Sequence, residues 1–198
     1  LILGDPRGDL GLAGAREAAE LLNGWRAALM REGRVVEVFV ASQARSSVAR
    51  VVEALDRADT DLIALVDVAA GYRSSDLERL LVEMEAGQPS LAIGCRRRAE
   101  DGGLAGVIAR GLRLSLGTSD PSSGLMVVRG PDWRRIRPTV SPIGTWFGFE
   151  LLAKSGDVGP WSDVSVEGVP CWLPGDRRPS YEDLRHFKRL ADHRFGTY

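Results

Sequence analysis

Two hydrophobic periods alternate along this chain. Leu1-Ile2-Leu3-Gly4 predicts a short buried strand, and the Asp5 to Asp9 stretch DPRGD predicts a turn. From Leu10 to Met30 the apolar positions follow a helical stripe through Leu12, Ala15, Ala18, Ala19, Leu22, Trp25 and Leu29, with Gly33 as the expected stop. Val35 to Val40 is rich in β-branched residues and reads as a strand. Ser46 or Ser47 is placed to cap a helix through Val48, Val51, Val52 and Leu55. Asp61 to Asp67 carries a mostly continuous apolar run, the pattern of a parallel strand buried on both faces. Ser74 or Ser75 opens a helix with Leu77, Leu80, Leu81 and Met84 on one side, and Leu91 to Cys95 is another apolar strand. Helices are expected over Leu104 to Leu116, Phe147 to Lys154 and Tyr181 to Phe195. Leu125 to Val128 reads as a strand, and Val164 to Trp172 as a strand pair or one kinked strand.

Strand, helix, strand, helix, strand, helix, strand is the order of an α/β domain with a mainly parallel sheet. The 198 residues are expected to form a single domain, 1–198. The abrupt opening on Leu1-Ile2-Leu3 is compatible with a domain cut from a longer chain. A formal net charge of -1 supplies no overall basic field, so a nucleic-acid partner is not expected. The two cysteines, Cys95 and Cys171, form no C-x-x-C pair, which argues against a zinc site and for reduced core thiols in a cytoplasmic protein. No apolar run approaches the ~20 residues of a membrane span.

Ligands of open α/β sheets bind beyond the carboxyl ends of the strands. At those ends the sequence places Asp67, then Cys95-Arg96-Arg97-Arg98, then Arg177-Arg178. One acid and two arginine clusters at one crevice suit a phosphate-bearing ligand with a metal. The segment SDPSSGLMVVRG, Ser119 to Gly130, sets turn formers directly before a strand. It reads either as turn chemistry or as a place where small side chains let a ligand approach the backbone, with Asp120, Ser123 and Gly124 as the candidates. Glu150 sits in the otherwise apolar stretch Phe147 to Leu152, where a carboxylate needs either a partner or a task.

Four pieces resemble family-2 glycosyltransferases in the right order. DTDLIALVDVAAGYRSSDLERLL is similar to that family's strand, acidic motif and helix. LAIGCRRR resembles the strand ending in Gly-Ser-Arg of the dolichol-phosphate mannose synthase branch, and SDPSSGLMVVRG its Asp-x-x-Ser-Gly-Phe segment. FGFELLAKSG and VEGVPCWLPGDRRPS resemble its Phe-Glu-x-x-Leu helix and its Glu-Val-Pro strand running into Arg-x-x-Gly-x-Ser-Lys. The resemblance covers roughly Thr60 to Ser180. It implies a GT-A-like (Rossmann-like) three-layer sandwich. It also implies transfer of a sugar from a nucleotide-diphosphate sugar, commonly to a polyprenyl phosphate at the inner face of a membrane.

The resemblance further implies Asp67 as the ligand of a Mg²⁺ or Mn²⁺ ion that neutralises the leaving diphosphate. Asp67, Arg96, Ser123, Gly124, Arg178 and Ser180 would form the donor and phosphate site, with Asp120 and Glu150 as catalytic candidates. Departures are also visible. Ala69 stands where the second acid of Asp-x-Asp belongs, Ala41-Ser42-Gln43-Ala44 lacks the early acid pair, and Tyr181 replaces the expected Lys. Those losses fit an alternative, a catalytically inactive binding or partner subunit. A third reading, nucleotidyltransferase, rests on the glycine-rich and Arg7-bearing stretch GDPRGDLGLAG. His186 and His193 are read as surface histidines. The last helix is read as a packing helix, with docking on a membrane surface as the alternative.

Overall fold

The computed structural model describes residues 2–4, 12–31, 39–41, 47–67, 72–96, 117–120, 123–140 and 147–167, with isolated helical positions between 111 and 114 and between 185 and 192. Its elements are β1 (Ile2–Gly4), α1 (Leu12–Arg31), β2 (Phe39–Ala41), α2 (Ser47–Arg57), β3 (Leu62–Asp67), α3 (Ser74–Ala86), β4 (Leu91–Arg96), β5 (Leu125–Arg129), α4 (Gly130–Ile136), α5 (Phe147–Ser155) and β6 (Trp161–Val166).

The six strands form one sheet in the order β2-β1-β3-β5-β4-β6. β1 runs parallel to β2 and β3, and β4 parallel to β6. β5 is antiparallel to both of its neighbours, so among the described strands it alone runs against the others. The mainly parallel sheet expected from the alternation is therefore present with one reversed strand near its centre.

Alternation along the strands divides the core into two layers. Ile63, Leu91, Ile93, Met126 and Val128 pack with Leu55 of α2, Trp133 of α4, and Leu151 and Leu152 of α5. Ala64, Val66, Ala92, Leu125 and Val127 pack with α1 through Leu22, Trp25 and Leu29, and with α3 through Leu77, Leu80 and Met84. Helices thus cover both faces, giving the three-layer α/β sandwich. Each large side chain buried this way contributes about 1.5–3 kcal/mol.

Several boundaries differ from expectation. β6 begins at Trp161, three positions before Val164, because Ser90 N–H is held by Pro160 C=O (2.8 Å) and so brings β6 alongside β4. The N-cap of α3 is Arg73 rather than a serine, and the buried carboxylate of Asp76 accepts the Arg73 N–H at 3.0 Å. α4 was not expected at all. Its seven residues carry Pro131 in the first turn, where the missing N–H costs nothing, and Arg134 and Arg135 in the last turn. The Ser46 cap, Gly33, the 168–172 stretch and most of the expected 104–116 and 181–195 helices lie outside the described residues.

Candidate functional site

The strand directions determine which chain ends meet. Register pairs Gly4 with Asp67, and Val66 with Leu125. Arg96 pairs with Val166. Because β5 is reversed, its first residue lies on the same rim as the last residues of β1, β3, β4 and β6. Asp67, Arg96, Ser123 and Gly124 are therefore gathered at one edge of the sheet, although up to 57 positions separate Asp67 from Gly124 (124 − 67).

At this rim Arg96 and Asp120 form a bidentate ion pair. Arg96 Nε lies 2.5 Å and Nη2 2.8 Å from the two carboxylate oxygens, and the Arg96 backbone N–H also donates to Asp120 (3.3 Å). The two side chains are 3% and 0% exposed. Such fork-to-carboxylate pairing is the strongest common form of ionic hydrogen bond. In this state the guanidinium is engaged by the chain's own carboxylate, rather than open towards a phosphate, and Asp120 serves to hold it.

A second buried polar chain runs beside the first. Gly124 N–H donates to Tyr72 Oη at 3.0 Å, and Tyr72 Oη lies 3.4 Å from Ser123 Oγ. Ser123 Oγ in turn donates to Gly94 C=O at 2.5 Å and accepts Leu125 N–H at 3.1 Å. Gly94 is tightly surrounded: a Cβ there would lie 3.2 Å from both Leu125 and Val166 side-chain atoms, which would have to give by a few tenths of an ångström. The small residues of SDPSSG thus first serve the protein, carrying the β4–β5 pairing one step past its last ladder pair, Ile93 with Met126. Burial pushes the Tyr72 hydroxyl from 10.0 up to about 12, against the lowering effect of its hydrogen bond to Ser123.

A third contact fixes the start of the same loop. Asp163 of β6 accepts from Thr118 Oγ1 (2.7 Å) and from Ser119 N–H (2.6 Å). Cys95 is a buried free thiol beside Thr118, and burial, with the nearby Asp163 charge, raises it from 9.0 to about 12. That is a structural thiol rather than a nucleophile.

Tyr72, Thr118 and Asp163 were not among the sequence candidates. Glu150 is buried at 3% on α5. Of Asp67 only the backbone position at the end of β3 is described. Arg97, Arg98, Arg177, Arg178, Ser180, Ala69, Cys171, His186 and His193 lie outside the described residues. Among the described residues, no group of three His, Cys, Asp or Glu side chains is placed to hold a metal ion. No described helix is long and apolar enough to cross a membrane.

Comparison with solved structures fixes the architecture. Glucosyl-3-phosphoglycerate synthase from Mycobacterium tuberculosis, in complex with phosphoglyceric acid, superposes with a TM-score of 0.57 at 14% identity over 86% of this chain. Its complex with uridine-diphosphate gives 0.57 at 16% identity over 86% of this chain, and its complex with Mn²⁺ and uridine-diphosphate-glucose gives 0.56 at 14% over 86%. This chain has the GT-A fold. It spans 64% of the length of the first two matched chains and 63% of the third. No family model matches it, and no curated protein matches it in sequence.

Proposed function

We propose that this chain is a glycosyltransferase domain that takes a sugar from a nucleotide-diphosphate sugar. The supporting observation is the rim itself: within a GT-A fold, β1, β3, β4 and β5 bring Gly4, Asp67, Arg96 and Gly124 to one edge. The solved neighbour is described with UDP and with UDP-glucose and Mn²⁺.

On this reading an acceptor oxygen attacks the anomeric carbon. The new C–O bond forms as the bond to the diphosphate oxygen breaks, and the diphosphate leaves with the electron pair. Asp67 is the carboxylate that would ligate Mg²⁺ or Mn²⁺. A Mg²⁺-type ion held by one carboxylate takes its other oxygens from substrate phosphates and water, so this site suits a cation that arrives with the nucleotide. When bound, the cation neutralises charge on the leaving diphosphate. Arg96 would meet a phosphate oxygen only on release from Asp120, which holds it in this structure. Gly124 offers an approach without a Cβ.

A hydroxyl acceptor would need a general base, for which Glu150 is the candidate, whereas an ionised phosphate acceptor needs none. Arg178 and Ser180 are proposed to meet the phosphate of a polyprenyl-phosphate acceptor, as in the mannose synthase branch, with the domain working at the cytoplasmic face of a membrane.

A second reading is a domain of the same fold that binds without transfer. Ala69 and the closed Arg96–Asp120 pair favour it, since the first lacks a carboxylate that a bound cation would use and the second occupies a guanidinium that a diphosphate would use. Calorimetric titration of UDP and GDP into the domain, with and without Mn²⁺, separates the two. Metal-dependent binding of either nucleotide is expected. Absence of binding under every condition would overturn the transferase reading.

A further inference from the structure

We propose that Tyr72 is a positioning residue that joins the loop after β3 to the loop before β5, so that the two halves of the candidate nucleotide-sugar site hold one fixed geometry. The inference rests on the transferase reading for its chemistry and on the following contacts for its structure. Tyr72 follows Asp67 by five positions and leads into α3, so it belongs to the connection that carries the donor-side acid. Its hydroxyl reaches across to the other connection and accepts Gly124 N–H at 3.0 Å.

The hydrogens can be assigned in one consistent direction. Gly124 N–H donates to Tyr72 Oη, Tyr72 O–H points to Ser123 Oγ, and Ser123 O–H donates to Gly94 C=O. Each hydroxyl donates once, and Ser123 also accepts Leu125 N–H. Links of this kind polarise one another in a dry interior. Tyr72 and Ser123 are 3% and 1% exposed, so both hydroxyls are shielded from bulk water.

Packing alone would be served equally well by phenylalanine at this position. The hydroxyl is what ties two segments that are separated by 51 positions between Tyr72 and Ser123. Arg96 and Asp120 lock the same β5-side loop to β4. The β3–β5 ladder ends at Val66 with Leu125, and Tyr72 adds a side-chain tie just beyond it, fastening Gly124 to the residue that leads into α3.

The test compares the domain with its Tyr72→Phe and Ser123→Ala variants. Trp133→Phe, altered in the core on the opposite face, serves as a control for general loss of stability. Hydrogen exchange is read over residues 117–125, and UDP and GDP affinity is read with Mn²⁺ present. Tyr72→Phe should speed exchange in 117–125 by about tenfold beyond the control and weaken nucleotide binding about fivefold, as expected for one lost buried hydrogen bond. Ser123→Ala should do the same to a lesser degree, and it stands in if the tyrosine variant does not fold. Unchanged exchange in 117–125 would overturn the proposal. So would faster exchange with unchanged affinity, because the tie would then be architectural only. If the unaltered domain binds neither nucleotide, the transferase reading fails, and the exchange data still decide whether Tyr72 joins the two loops.

Discussion

The two rims of the sheet are held by different chemistry. At the rim where β3 and β4 begin, the backbone does most of the joining. Gly130 N–H donates to Asp61 C=O at 2.8 Å, and Arg129 N–H to Ser90 C=O at 3.1 Å. The Arg129 guanidinium caps Pro89 C=O and Met84 C=O, closing the end of α3. A Cβ on Gly130 would lie 2.0 Å from Thr60 C=O, so the approach depends on a residue with no side chain. At the opposite rim, ions and hydroxyls do the joining: Arg96 with Asp120, Tyr72 with Gly124 and Ser123, and Asp163 with Thr118. Buried charge needs full compensation, and an apolar pair of similar size would often be as stable. One rim is thus built for cohesion, while the other retains costly groups that cohesion does not require.

The sharpest way to break this comparison is Asp120→Ala. It leaves Arg96 buried without its carboxylate and should lower stability by about 3–5 kcal/mol in denaturant unfolding. The double change Arg96→Met with Asp120→Leu should recover most of that loss and, on the transferase reading, still abolish nucleotide binding. A loss below about 1 kcal/mol for Asp120→Ala would show that the pair is not the fastening described.

Gly130→Ala comes next. The forced contact with Thr60 should cost about 1–3 kcal/mol, without altering nucleotide affinity in the fraction that remains folded. Reduced affinity in that fraction would remove the division of labour between the rims.

Much of the framework was legible because it rests on periodicity. The runs expected over Asp61 to Asp67, Leu91 to Cys95 and Leu125 to Val128 and the stripe through Leu77, Leu80, Leu81 and Met84 are local patterns, and each became the expected element to within one residue at its ends. α4 escaped because seven residues with only Trp133 and Ile136 apolar cannot display a helical period. The resemblance marked Asp120 and Arg96, but it read both as facing a ligand. Their mutual engagement depends on contacts between segments distant in sequence, which no local pattern carries. Tyr72 was invisible for the same reason, since its partner lies 52 positions further on at Gly124. The reversal of β5 was equally hidden: an apolar run does not announce its direction.

Alkaline titration sharpens the comparison at smaller amplitude. In the unfolded chain the Cys95 thiol loses its proton near 9.0 and the Tyr72 hydroxyl near 10.0, whereas the folded protein holds both to about 12. The unfolded state binds fewer protons in that window. Stability from these groups is therefore complete below pH 9.0 and declines as pH rises towards about 12. Cys95→Ala should remove the decline that begins near 9.0, and Tyr72→Phe the part that begins near 10.0, in unfolding free energies measured stepwise over this range. An unchanged profile in both variants would place the two groups in contact with water.

The smallest effect is expected at Arg57. Its pair with Glu53 has side chains 67% and 58% exposed, so Arg57→Ala should change stability by no more than about 0.5 kcal/mol, within reach of careful denaturant curves. A cost comparable to that of Asp120→Ala would mean that burial is not what distinguishes the rim pair.

The reversed β5 also bears on how this domain could be remodelled. Because β4 ends and β5 starts on the same rim, the connection from Arg96 to Leu125 leaves and re-enters the sheet on one side. The Arg96–Asp120 pair closes that excursion across 24 positions, acting as a non-covalent clasp at its neck. Closure entropy grows only slowly with loop length, by roughly 0.6 kcal/mol per doubling. A clasped excursion can therefore lengthen, shorten or exchange its contents without re-threading a single strand. On the transferase reading, selection for a new acceptor could act on that segment while the sheet beneath it stays as it is.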